Sequence, residues 1–173
     1  VGGSKSLTGP VRISAKAESV AQDIEPEFIA FSGDASTAFA TLQENNAVAV
    51  IELADAEVDA VLGIGFKDYG IPGNEIDASN KDGGVNFNSW SIYGTYMPDG
   101  FDAYDVNGIT YLVTANEGDG REYVSDAADA ADCTAQGGFL FDDGDCFHYL
   151  DEIRVKDLDA SQFTDELVAK LGA

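Results

Sequence analysis

The chain has 173 residues, 45% of them hydrophobic and 10% aromatic, enough for one domain with a sizeable core and too apolar for intrinsic disorder. Acidic residues number 32 against 9 basic, a formal charge of −23. That field repels DNA, RNA and anionic membrane surfaces and draws in cations, above all oxygen-seeking ones such as Ca²⁺; adaptation to salt would give the same charge and is compatible with a cation site.

In chain order, residues 1–22 carry scattered apolar positions (Val11, Ile13, Val20), expected of an edge strand or a connection. The chain opens Val1-Gly2-Gly3-Ser4-Lys5 without Met, as a processed or cut terminus would. Asp23 to Glu27 is an acidic loop. Phe28 to Phe31 reads as a strand, Gly33 to Ser36 as a turn with Asp34 suited to an Asx turn, and Thr37 to Leu42 as the partner strand. After a second turn, Gln43 to Asn46, the run Ala47 to Leu53 is apolar on both faces and reads as a buried strand, with Val58 to Phe66 as the outer one. Residues 67–97 are rich in turn formers and form a long ordered loop for which Trp90, Tyr93 and Tyr96 are candidate anchors. Asn107-Gly108 between apolar runs predicts a hairpin. Residues 119–150 read as loop, with a helical turn within Ser125 to Asp132. Ile153 to Val155 reads as a short strand, and Ser161 to Leu171 as a helix with Phe163, Leu167, Val168 and Leu171 on one face.

Two of these segments are copies of one pattern. Pro26-Glu27 and Pro98-Asp99 each open an apolar stretch, a turn follows, and a strand then ends in Thr41-Leu42-Gln43-Glu44-Asn45 or Thr114-Ala115-Asn116-Glu117-Gly118. A repeated hairpin with a polar exit marks a sheet array such as a β-propeller, whose exits gather on one face. The expected fold is therefore all-β, a partial propeller of about two to three blades with long loops and a short C-terminal helix. Its segments are a blade-like repeat (23–66), an insertion loop (67–97), a second repeat (98–118), an insertion (119–150), and a strand plus helix (151–173). Two blades do not close a ring, so the rest of the propeller is expected from the same protein or from other chains, with a homo- or hetero-oligomer as one route.

Cys133 and Cys146 close one short loop, which suggests a local disulfide and an oxidising compartment; two free buried thiols are the alternative. Zinc is disfavoured, since only His148 could join them. No run is long and apolar enough to span a bilayer.

The stretches Asp23 to Ala30, Thr41 to Ile51, Pro72-Gly73-Asn74, Asp77-Ala78-Ser79, Lys81 to Gly84, Tyr96 to Asp99, Tyr111 to Tyr123 and Glu152 to Leu158 resemble the choice-of-anchor I family of secreted bacterial proteins. That group includes the mesenchyme-specific cell-surface glycoproteins of biomineralising animals. The resemblance covers roughly residues 20–160. It implies a β-propeller of the YVTN or LVIVD kind and a location outside the cell, at its surface or in a periplasm. It implies no settled chemistry, since members are often labelled alkaline phosphatase or nucleotidase. The Cys133–Cys146 insertion departs from the family pattern.

The strongest site candidate is the loop after the second repeat, where Asn116, Glu117 and Asp119 offer oxygen ligands for Ca²⁺ and Arg121 an anion partner. A plain connection between sheet units would use the same residues to satisfy backbone groups. Glu44 at the first exit, with Glu25 and Glu27 around Pro26, could face the same mouth. Asp77 opens a loop that departs from the EF-hand pattern because Lys81 falls on its fifth ligand position. His148, between Phe147 and Tyr149, is read as structural, and no nucleophile elbow is present. The favoured function is a secreted or cell-surface propeller segment that binds divalent cations, calcium first, in adhesion, assembly or mineral handling. The alternatives are a calcium-dependent phosphoester hydrolase using Glu117, Asp119 and Arg121, and a purely structural acidic propeller.

Overall fold

The computed structural model describes residues 7–14, 17–79 and 81–152. The elements are β1 (Leu7–Thr8), α1 (Val20–Asp23), β2 (Ile29–Phe31), β3 (Thr37–Leu42), β4 (Ala47–Glu52), β5 (Glu57–Gly63) and β6 (Phe66–Asp68). They continue with β7 (Tyr93–Thr95), β8 (Pro98–Val106), β9 (Ile109–Asn116), β10 (Glu122–Asp126), α2 (Ala130–Ala135), β11 (Leu140–Asp142) and β12 (Asp145–Leu150). Among the described residues the protein is mostly β, built of several small sheets with no closed barrel. Two compact units emerge: residues 1–67 with 94–119, and residues 68–93 with 120–173.

The first unit holds a five-stranded sheet in the order β1-β5-β4-β3-β2. Its meander is antiparallel, with Ala40 opposite Ala49 and Leu42 opposite Ala47. These four residues share one face and are buried, and Val11, Ile24, Ile51 and Val61 pack against them. Small alanines on that face let the N-terminal segment approach closely. The expected outer strand, Val58 to Phe66, is corrected in two ways. Strand β5 stops at Gly63, and β1 lies beyond it in parallel, Leu7 opposite Val61. The reason is steric: a Cβ on Gly63 would sit 2.6 Å from the carbonyl carbon of Pro10, so only glycine admits the incoming chain.

The β2–β3 turn forms as its sequence predicts, Asp34 Oδ1 accepting from Ser36 N at 3.0 Å and from Ser32 Oγ at 2.7 Å. Strands β8 and β9 form the predicted hairpin, with Asn107 and Gly108 both left-handed (φ 53° and 78°). Strand β8 lies across β2 and β3. Asp105 Oδ2 accepts from Gly33 N at 3.0 Å, which fixes the hairpin face that looks at the first sheet.

In the second unit the reading of 119–150 as loop is corrected. Strands β10, β12 and β11 make a three-stranded antiparallel sheet, flanked by α2. Asp129 caps α2, its Oδ1 accepting from Ala131 N and Asp132 N, each at 2.9 Å. Cys133 on α2 and Cys146 on β12 form a disulfide across Cα atoms 5.2 Å apart. Gly138 lies against it: a Cβ there would sit 2.2 Å from the sulfur of Cys146. Trp90 anchors the loop, donating from Nε1 to the carbonyl of Ile76 at 3.0 Å. Tyr93 does not, being 70% exposed on β7. The predicted strand at 153–155 and helix at 161–171 lie outside the described residues.

Candidate functional site: an acidic rim

The first repeat leaves its strand through Thr41, Leu42, Gln43, Glu44, Asn45 and Asn46, and five of these six are fully or nearly fully buried. Buried polar groups must be bonded, and these are used to tie segments together. Thr41 Oγ1 accepts from Phe28 N at 3.1 Å and Thr41 O from Glu27 N at 3.1 Å, which seats the Glu25-Pro26-Glu27 segment beside the exit. Asn45 Nδ2 donates to the carboxylate of buried Asp23 at 2.8 Å and to Arg12 O at 2.9 Å.

Asn46 reaches the second repeat. Its Oδ1 accepts from Tyr96 N at 2.9 Å and from Met97 N at 3.0 Å, while its Nδ2 donates to Gly65 O at 2.7 Å. Asn46 and Met97 are both left-handed (φ 51° and 47°). For Met97, directly before Pro98, that backbone costs about 1–2 kcal/mol, and the two bonds to Asn46 hold it. Gln43 Nε2 then donates to Glu117 Oε2 at 3.2 Å. The polar exits of the two repeats therefore touch.

The electrostatic centre of this rim is Glu27. Its carboxyl titrates above the ordinary value of 4.5, first because it is partly desolvated and then because Glu44, Asp99, Glu117 and Glu25 crowd it with like charge. Glu25, Glu44 and Glu117 were legible as candidates. Asp99 was not singled out, although Pro98-Asp99 repeats Pro26-Glu27 and carried the signal. Among the described residues no three His, Cys, Asp or Glu side chains stand close enough to form a ready-made metal cage.

Asn116 is exposed, its Oδ1 accepting from Thr114 Oγ1 at 2.9 Å, and Asp119 is exposed at the end of the first unit. Arg121 belongs to the second unit and is buried, its N donating to Asp151 Oδ2 at 3.4 Å and its carbonyl accepting from Asp151 N at 2.9 Å. Asp77 is half-buried in the loop, Oδ2 accepting from Asn86 N at 3.3 Å. Asp143 and Gly144, both left-handed, make the β11–β12 turn.

His148 Nε2 lies 2.9 Å from Ser125 Oγ. Gln136 Nε2 donates to Asp126 O at 3.1 Å, which fixes the amide so that Gln136 Oε1 takes the Ser125 proton at 2.8 Å. Ser125 Oγ is then left to accept from His148 Nε2–H. The imidazole is a donor here, so this pair is wired as a structural bridge and not as a nucleophile with its base.

No helix among the described residues is long and apolar enough to cross a membrane. Searches of curated proteins and of solved structures return no match. The choice-of-anchor I domain model, by contrast, matches residues 4–172, nearly the whole chain. On that match, the chain belongs to the choice-of-anchor I family.

Proposed function

We propose that this chain is the β-sheet segment of a surface-anchored extracellular protein, that its two repeats are propeller blades, and that their joined exits bind divalent cations, calcium first. The observation that carries the reading is the crowding of Glu25, Glu44, Asp99 and Glu117 around Glu27. Like charges held together by a fold gain most from a bound cation, and hard carboxylate oxygens favour Ca²⁺. The family description and the disulfide, which belongs to oxidising surroundings, support the location.

With no preformed cage among the described residues, the side chains must close on the ion and keep water in its shell. That predicts an affinity of about 10⁻⁴–10⁻³ M, the range of extracellular calcium modules. Calcium at about tenfold excess over its Kd would then stabilise the fold by about 1.4 kcal/mol. Isothermal titration of the purified chain with CaCl₂ tests this. Saturable binding, weakened in both Glu27→Gln and Glu117→Gln, is expected. Heats no larger than those of the double variant would end the reading.

A further inference from the structure

Among the described residues, the non-glycine positions with a left-handed backbone are Ala35, Asn46, Ala56, Met97, Asn107 and Asp143. All but Met97 lie in the turns between consecutive paired strands, where that conformation serves the reversal of the chain. Met97 instead sits on the short step between β7 and β8, and it is buried. A long side chain directly before proline is disfavoured in that region twice over. Such a backbone persists only where its surroundings hold it, and it marks a place that can exist in two arrangements.

The contacts that hold the step run to the two acidic exits. Asn46 Oδ1, at the first exit, accepts from Tyr96 N and Met97 N. Met97 O accepts from Glu117 N at 3.3 Å, at the second exit. Pro98, fully buried, leads straight into Asp99. The step therefore sets where Asp99 and Glu117 stand, whereas Glu25, Glu27 and Glu44 belong to the first repeat. Their like charges meet at Glu27 only while the step is closed, so an empty rim works against closure and Asn46 works for it.

We propose that the Met97 step is a two-state latch coupled to the rim: a divalent cation binds the closed form in preference to an open form, in which Tyr96 and Met97 have left Asn46 and Met97 has relaxed to an extended backbone. The inference rests on the cation reading above and adds its regulation. Asn46 is a positioning residue for the ion, acting through Tyr96 and Met97 without touching it. Linkage is reciprocal: closing the latch raises the affinity for the ion, and the ion holds the latch closed by the same factor.

Amide hydrogen exchange of the intact chain, with and without CaCl₂, reads the latch. Without calcium the amides of Tyr96 and Met97 should exchange faster than those bonded between β3 and β4, through local opening. Calcium at about tenfold above its Kd should slow these two amides about tenfold. By isothermal titration, Asn46→Ala should bind calcium about tenfold more weakly under conditions where circular dichroism shows it folded. Val61→Ala, which loosens the core of the same sheet, should bind as the parent does. If the parent binds calcium while exchange at Tyr96 and Met97 stays unchanged, the latch is overturned and the cation site stands. Parental affinity in Asn46→Ala, or equal weakening in Val61→Ala, would overturn it too. No calcium binding by the parent would end both readings.

Discussion

Asn46 is the residue on which the joining of the two repeats rests, and Asn46→Ala measures it. The side chain is fully buried and makes three bonds, two accepted from Tyr96 and Met97 and one donated to Gly65. Each bond contributes about 1 kcal/mol net, and a backbone group left buried without a partner costs about 1–3 kcal/mol. Alanine at φ 51° adds about 1 kcal/mol, because a Cβ without a local hydrogen bond tolerates that region less well than asparagine does. The expected loss is about 4 kcal/mol, a large part of the 5–15 kcal/mol typical of a domain. Denaturant unfolding followed by far-ultraviolet circular dichroism reads it as a fall in midpoint. Asn46→Asp sharpens the test, since it keeps the acceptor for Tyr96 and Met97 but at neutral pH sets a carboxylate against Gly65 O. Its stability should recover on acidification, when the carboxyl can donate again. A loss below about 1 kcal/mol for Asn46→Ala would show that the clamp is ornamental and refute this account of the rim.

Glu27 has a folded pKa raised above 4.5, so the folded chain holds its proton more tightly than the unfolded chain does. Its contribution to stability therefore falls as pH rises from 4.5 through the higher folded value, and Glu27→Gln should remove that slope while adding a few tenths of a kcal/mol at neutral pH and low salt. Asp34 and Glu75 act oppositely: hydrogen bonds from Ser32, Ser36 and Gly73 lower their carboxyls, and the stability they give is lost only as pH falls below their ordinary values of 3.8 and 4.5. Thermal unfolding of wild type and Glu27→Gln across this range checks the sign. In the second unit, removing the disulfide by Cys133→Ala should cost about 3 kcal/mol, measured by denaturant unfolding. Gly138→Ala should expose two titratable thiols where the parent shows none, because its methyl would overlap both sulfurs.

What the sequence disclosed was what local chemistry decides. The strands of the first repeat, the Asp34 turn, the Asn107-Gly108 hairpin and the cysteine pair all follow from residues close together in the chain. The burial of Gln43, Asn45 and Asn46 was hidden, because polar residues at an exit read as solvated until distant partners such as Arg12, Met97 and Gly65 are in place. The three-stranded sheet of the second unit was missed since Glu122 to Asp126 is short and polar, although Asp143-Gly144 was a hairpin signal. The edge strand allowed for within residues 1–22 is β1, but its place beside β5 was hidden, because two residues pair there only where Gly63 accepts Pro10.

The central claim is that the acidic exits of both repeats converge on Glu27 and give a cation its place. Following the Glu27 side-chain carboxyl by carbon NMR across pH, with and without calcium, tests this most directly. The account predicts a midpoint above 4.5 that drops when calcium is added. A midpoint at the ordinary value, or one that calcium leaves where it was, would contradict it.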